Sequence, residues 1–170
     1  MNYISEYGYN CLVRLLPAVS ILIYFSSCAV KPASDLDSPE YHHKAGMRHV
    51  EMGQYTEALT SFNRATDLDK KFAPAYAGMG IAHANLKNRK DAKKFAGKAQ
   101  GLAGKDPDVL TLCARVWIDL RHQEKKWYKD AEKLLKKALK RKKNNEGAPY
   151  YTGELYLYQY EFSQAEVLFR

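Results

Sequence analysis

The sequence predicts an all-α fold, an α-solenoid of about three and a half antiparallel helix pairs, and three observations predict it. A pair of small or nearly small residues recurs along the chain as Ala45-Gly46, Met79-Gly80, Cys113-Ala114 and Thr152-Gly153. Each is followed about a dozen residues later by an alanine, and Ala58, Ala92, Ala131 and Ala165 stand 34, 39 and 34 residues apart. No segment shows a strand hairpin pattern, whereas apolar residues such as Ala131, Leu134, Leu135, Ala138 and Leu139 recur at helical spacing. A period near 34 with small residues at two fixed places is the signature of a stacked helix–turn–helix unit, one copy of which carries an insertion.

The elements follow in order. Ser38-Pro39 and Asp106-Pro107 each place a capping oxygen before a first-turn proline, so helices open at Pro39 and Pro107. The first pair is expected at Pro39–Met52 and Tyr55–Leu68, the second at Ala73–Leu86 and Arg89–Leu102. The third is Pro107–His122 with Tyr128–Lys142, and the fourth Ala148–Tyr158 with a helix from Phe162 onward. Two antiparallel helices approach closely only where a side chain is nearly absent, which is the expected role of Gly46, Gly80, Ala114 and Gly153. No single pair buries enough apolar surface alone, so stability must come largely from contacts between neighbours.

These residues resemble the tetratricopeptide repeat family. In Pro39–Phe72, Gly46, Ala58, Phe62 and Ala65 stand at the family's eighth, twentieth, twenty-fourth and twenty-seventh positions, and Gly53-Gln54-Tyr55-Thr56-Glu57-Ala58 is similar to its turn into the second helix. Ala73–Asp106 offers Tyr76, Gly80, Ala92, Ala96 and Ala99, and Pro107–Asn145 offers Leu110, Ala114, Trp117, Ala131, Leu135 and Ala138. The fourth copy, from Glu146, offers Gly153, Tyr156, Phe162, Ala165 and Phe169. The sequence departs from the family at His42, His49 and His83, where large apolar residues are favoured, and at Lys70, where proline is usual. The resemblance divides the chain into repeats at 39–72, 73–106, 107–145 with the insertion, and 146–170, the last incomplete.

The resemblance implies a concave face, built by the first helices, that holds an extended peptide or a partner helix. Its matching residues are His43, Met47, Val50 and Glu51; Ala77, Ile81, Ala84 and Asn85; Thr111, Arg115, Ile118 and Asp119; and Tyr150, Glu154, Leu157 and Tyr158. The Lys/Asn/Arg arrangement with which chaperone adaptors of the family grip a terminal carboxylate is absent from these positions. A mixed, partly apolar surface suits an apolar or aromatic-bearing segment.

The N-terminus carries a separate signal. Leu15–Phe25 is an apolar run of 11 residues between Arg14 and Ser26-Ser27-Cys28. A membrane span needs roughly 17–25 residues, so the layout reads as a secretory signal. Phe25-Ser26-Ser27-Cys28 resembles the lipobox of bacterial lipoproteins, with Phe25 in place of the usual leucine; an ordinary cleaved signal or an uncleaved anchor is the alternative. The resemblance implies a signal peptide at 1–27, lipid on Cys28, and a tether at 28–38. Ala29 after the cysteine implies outer-membrane sorting, facing the periplasm. Lipoproteins combining these features serve pilus secretin or outer-membrane protein assembly, so a non-enzymatic scaffold with a protein partner in the cell envelope is expected.

Charge singles out one helix. The chain holds 27 Lys and Arg against 19 Asp and Glu, a net charge of +8. Arg121–Lys143 contains 11 of the basic residues and 3 of the acidic ones, so the whole excess lies there. Lys129, Lys133, Lys136, Lys137 and Lys140 are expected on the outer, convex side. A lysine run is most often a solvated face. The functional alternative is an anionic membrane or cell-wall surface, ahead of nucleic acid, for which no recognition motif is present.

Catalytic, metal and cofactor chemistry find no support. Gly104-Lys105 lacks the first glycine and the hydroxyl residue of a phosphate loop, and Gly78 with Gly80 lacks the third glycine of a dinucleotide fingerprint. His42 and His43 are adjacent on a helix and point apart, and His49 and His83 fall in neighbouring repeats, about 8–10 Å between helix axes. Cys113 is expected to be a buried structural thiol. The last stretch leaves Val167, Leu168 and Phe169 without a following element, which is expected to reflect a longer natural chain or self-association through that end.

Overall fold

The computed structural model describes residues 37–159, all within the unit Ser34–Arg170. The signal, Cys28, the tether up to Leu36 and the helix expected from Phe162 lie outside the described residues. Among those described, seven helices occur and no strand: α1 Pro39–Glu51, α2 Tyr55–Leu68, α3 Ala73–Asn85, α4 Arg89–Ala103, α5 Pro107–Asp119, α6 Trp127–Arg141 and α7 Gly147–Tyr158. None of them is long and apolar enough to cross a membrane.

Local chemistry sets the helix ends. Ser38 Oγ accepts a hydrogen bond from the Tyr41 amide at 3.1 Å, and Asp106 Oδ1 accepts from the Asp108 and Val109 amides at 2.8 and 3.3 Å. Both caps precede a proline in the first turn, as expected. The exits of α1 and α3 share one turn. The Gly53 and Lys87 amides bond to the Val50 and Ala84 carbonyls, while Gln54 and Asn88 bond back to His49 and His83, both at 2.8 Å. That double bond pattern needs a left-handed residue after the cap. Gly53 sits at φ 74°, and Lys87, one period later, at φ 62°. Lysine has a Cβ that resists this conformation, so Lys87→Gly should raise stability by about 1 kcal/mol, read as an increased urea midpoint. No gain would show that the turn is not strained at this position.

The third pair has no such turn. Here α5 stops at Asp119, three residues short of the expected His122, and a turn segment runs to Lys126. Leu120 is fully buried and anchors that segment. Gln123 Nε2 donates to the Ala84 carbonyl at 3.2 Å, and Lys93 Nζ donates to Glu124 Oε1 at 2.9 Å. The insertion is therefore strapped back onto the preceding pair.

Each helix packs against its antiparallel partner: α1 on α2, α3 on α4, α5 on α6. The first helices α1, α3, α5 and α7 also touch one another in succession, whereas among the described residues no two second helices are comparably packed. The first helices thus form the tight inner layer of the array and the second helices the splayed outer one. Alanine and glycine along α3 allow this. Ala75, Ala77, Gly78, Gly80, Ala82 and Ala84 are all buried, so α3 is enclosed on every side and shows no polar face.

Two glycines act as expected at helix crossings. A Cβ on Gly46 would fall within 2.5 Å of the Phe62 ring, four residues after Ala58. A Cβ on Gly80 would meet Val116 Cγ2 at 3.0 Å, the Ala92 carbonyl at 3.3 Å and the Ala96 amide at 3.4 Å. Ala96 is the counterpart of Phe62, so in the second pair backbone faces glycine directly. Gly80→Leu should cost about 1–3 kcal/mol by overpacking, and an unchanged denaturation midpoint would contradict this crossing.

Buried polar groups are tied in at one junction. Asn145 is 2% exposed, accepts from the Ala148 amide at 2.7 Å and donates to Asp108 Oδ1 at 2.7 Å. Thr111 Oγ1 approaches the same Asn145 oxygen at 3.3 Å. Asn145 therefore caps the entry to α7 and clips it to α5. Asn145→Leu strands these partners and should cost about 1–3 kcal/mol in a denaturant titration; a neutral result would remove Asn145 from the junction. Cys113 is fully buried with Sγ 3.6 Å from the Ala96 carbonyl, and burial pushes its thiol up to about 12, consistent with a structural residue.

Candidate partner-binding cleft

The inner layer opens into a cleft of ≈ 350 Å³ lined by Glu51, Arg115, Asp119, Tyr150, Tyr151 and Glu154. These residues come from α1, α5 and α7, so the cleft draws on three helix pairs at once. The period near 34 is visible in its bonds. Asn85 Nδ2, on α3, donates to Asp119 Oδ2 on α5 at 3.0 Å, across 34 residues. Arg115 Nη1 donates to the Tyr151 hydroxyl at 3.2 Å, with the guanidinium 5.8 Å from the ring centroid. Arg115 Nε lies 3.9 Å from Asp119 Oδ2, too far for a hydrogen bond.

The electrostatics follow from this geometry. Burial is the main cause that lifts the Asp119 carboxyl to about 6; Arg115 and the Asn85 hydrogen bond oppose it, and Glu154 adds to it. Burial also raises the Tyr151 hydroxyl, only partly offset by Arg115. Tyr158 donates to Glu154 Oε1 at 3.2 Å and links the cleft to a second hollow of ≈ 340 Å³ lined by Arg121, His122, Trp127 and Tyr158. There the Arg121 guanidinium covers the Tyr158 ring at 4.2 Å, and Trp127 meets it edge-on at 6.2 Å.

Several expected contact residues lie elsewhere. Ala77, Ile81 and Ile118 are fully sealed, and Val50 and Thr111 are buried, so none of the five presents a surface to a partner. Ala77 and Thr111 stand at the fifth position of their repeats, Val50 and Ile118 at the twelfth, seven residues on. That spacing puts them on the side of a first helix that faces the next first helix. They build the floor of the inner layer, and a period-based choice of inward positions does not separate floor from surface. His43 belongs to the floor as well: its ring packs at 5.8 Å from both Phe62 and Phe72, and its Nε2 is buried with no hydrogen-bond partner among the described residues.

Arg115, Tyr150 and Glu154 do line the cleft, with Tyr150 56% exposed, and Tyr158 stands at its continuation. Asn85 is half-buried and acts through Asp119. Met47 is half-buried against the core. Tyr151, Arg121 and Trp127 were not legible as site residues. Tyr151 is one residue beyond the inward position, and the other two are brought in by the inserted segment.

The outer layer carries the basic side chains. Lys129, Lys133, Lys136, Lys137 and Lys140 on α6 are all exposed, and Lys136 Nζ pairs with Glu132 at 2.7 Å. Between the ends of α4 and α6 lies a groove of ≈ 470 Å³ lined by Gln100–Lys105 together with Lys137 and Arg141. The cationic surface therefore reaches from α6 onto α4, which also exposes Arg89, Lys90, Lys93, Lys94 and Lys98. Among the described residues, no group of three or more His, Cys, Asp or Glu side chains is arranged to hold a metal ion.

A family model described as TPR repeat matches residues 46–87, from the end of α1's first half to the exit of α3. No curated protein matches the sequence. Among solved structures, one described as the functional characterization of Pseudomonas aeruginosa pilF is 16% identical, covers 76% of this chain and 72% of that chain, and has a TM-score of 0.41.

Proposed function

We propose that this chain, which carries tetratricopeptide repeats, is a non-enzymatic scaffold that holds a segment of a protein partner in its inner cleft. Repeats of this kind generally mediate protein–protein interaction. The single observation carrying the reading is a cleft whose lining comes from α1, α5 and α7. A lining shared by three first helices suits an extended or helical segment laid across successive pairs. Tyr150, Tyr151 and Tyr158 provide rigid amphipathic contact surface, the type that dominates interaction energy at protein interfaces. A photo-crosslinking amino acid at Tyr150 should capture a discrete partner in the native cell, while the same group at Lys133 on the outer layer should not. Equal capture at both positions would count against the inner cleft.

We place the scaffold at the cell envelope, lipid-anchored through Cys28 and facing the periplasm from the outer membrane. The support is the sequence layout of Arg14, the apolar run Leu15–Phe25 and Ser26-Ser27-Cys28. Assembly of a pilus secretin or of outer-membrane proteins is the process such a lipoprotein would serve. Metabolic labelling with an alkyne fatty acid should mark the wild type and leave Cys28→Ser unlabelled; label on both would discard the anchor.

A second reading rests on the outer face. The exposed lysines of α6 and the Lys105, Lys137 and Arg141 groove suit an anionic membrane or cell-wall surface, at about 1 kcal/mol per lysine near a charged bilayer. Reversal of Lys129, Lys133, Lys136, Lys137 and Lys140 to glutamate should abolish sedimentation with phosphatidylglycerol vesicles at low salt. Unchanged sedimentation would leave these lysines as a solvated face.

A further inference from the structure

We infer that the inner cleft is selective for a cationic side chain, a lysine or arginine of the partner segment, seated against the carboxylates of Asp119 and Glu154 beside the rings of Tyr150 and Tyr151. This rests on the scaffold reading of the same cleft and specifies the partner's chemistry. The cleft is a negative feature of a positive molecule. Its lining holds Glu51, Asp119 and Glu154 against Arg115 alone, in a chain of net charge +8 whose outer layer carries the exposed lysines. A concave, low-dielectric wall concentrates such a field, so the sign of the cleft and not that of the whole protein governs what enters it.

Arg115 pairs with Asp119 at ion-pair distance and works against burial to lower its carboxyl, so it offsets one of the three carboxylates and leaves the lining net negative. Its Nη1 is directed to the Tyr151 hydroxyl at 3.2 Å, and its Nε stays 3.9 Å from Asp119. Asp119 is consequently held in a half-buried position with Asn85 as its hydrogen-bond donor and with Glu154 near enough to repel it. A guest ammonium or guanidinium would add counter-charge beside the carboxylates that Arg115 leaves uncompensated, in a partly desolvated site where a charge-assisted hydrogen bond is stronger than at an open surface. The volume of ≈ 350 Å³ accommodates a long side chain and part of its backbone, and tyrosine faces favour a cation over a neutral guest. An acidic guest would place a fourth carboxylate into the same cleft and is rejected.

Acid should weaken the contact. Asp119 titrates near 6, among Arg115 and Arg121 from its own side and Glu51, Glu154, Tyr151 and Tyr158 from the facing helices and the cleft rim. Protonation removes one of the two carboxylates the cation needs, so affinity falls as pH drops from 7.5 through 6.

The test is selection of random dodecapeptides displayed on phage against the full chain in detergent, followed by titration of synthetic peptides. Expected are binders with a lysine or arginine at a shared position, which lose at least tenfold in affinity when that residue becomes glutamine. The same loss is expected with protein carrying Asp119→Asn and Glu154→Gln; with wild type a fall of about threefold to fourfold is expected between pH 7.5 and pH 5.5, where a carboxyl titrating near 6 is still about one-quarter ionised. Circular dichroism checks the fold of the double variant; if it is not native, Glu154→Gln alone and the pH series on wild type decide. Binders that need Tyr150 but show no cationic preference would overturn the selectivity and leave the scaffold reading standing. Binders indifferent to every cleft substitution, or none at all, would overturn both. Self-association of the chain that disappears in the double variant and on reversal of the outer lysines would assign the cleft to a second copy and overturn the partner assignment.

Discussion

Phe62→Ala should lower the stability of the folded chain by about 3–5 kcal/mol, the largest loss expected from any single substitution here. Phe62 is fully buried, and its ring is gripped from two sides. A Cβ on Gly46 would lie 2.5–2.9 Å from three ring atoms, and a Cβ on Gly78 would lie 2.5–2.9 Å from three. The ring thus fills a slot between α1 and α3 while belonging to α2, and it joins the first pair to the second. Removing it leaves a cavity that cannot close, because both walls are helix backbone held by other contacts. The same grip predicts the converse. Gly46→Ala and Gly78→Ala each push on a ring with nowhere to retreat and should cost about 1–3 kcal/mol. Phe62→Leu combined with Gly46→Ala should be milder than the sum of the two, since a smaller side chain leaves room for the methyl. Urea titrations of the singles and the double would check this. Strict additivity would mean that residues 46 and 62 do not share the slot.

The second large effect is a pH dependence centred on His43. Burial between Phe62 and Phe72 is the first cause that lowers its imidazolium to about 4, against 6.5 in an unfolded chain, with Lys44 acting in the same direction and Glu40 opposing. The folded chain therefore keeps His43 neutral while the unfolded chain takes up a proton. Its contribution is fully present above about pH 6.5 and is lost progressively as pH falls toward 4. Between those limits the loss amounts to about 3 kcal/mol. Asp119 runs the other way: its carboxyl is raised to about 6 from 3.8, so acid relieves an unfavourable buried charge over much of the same window. His83, lowered chiefly by burial, acts in the same sense as His43. The total stability curve consequently mixes opposing slopes, and the informative quantity is a difference. His43→Leu should gain on the wild type by about 3 kcal/mol between pH 7.5 and pH 4, with the other groups cancelling. Parallel curves for the two proteins would show that His43 is solvated in the folded state.

His43 also illustrates what a period conveys and what it omits. At the level of elements, the spacing of Ala58 and Ala92, the caps at Ser38 and Asp106, and the small residues at Gly46 and Gly80 lead directly to helix pairs. These features are local or nearly so: a cap acts over three residues, and a crossing glycine reports that something approaches without saying what. At the site, periodicity assigned His43, Ala77, Ile81, Thr111 and Ile118 to an open face, yet they are floor. Which side of an inward helix meets its neighbour and which meets solvent depends on the rotation between successive pairs, and no single repeat encodes that rotation.

The sequence by itself determined the all-α architecture, the buried character of Cys113 and the concentration of positive charge near α6. Each follows from interactions within one pair, where residue spacing translates directly into contact. Tertiary structure alone decided that Phe62 is clamped by Gly78 as well as Gly46, and that Arg115 bonds to the Tyr151 hydroxyl while standing at ion-pair distance from Asp119. It alone gathered Glu51, Asp119 and Glu154 from distant helices into one negative cleft. The reason is physical: charge compensation and slot filling depend on distances between residues of different pairs, and those distances exist only once the pairs have stacked.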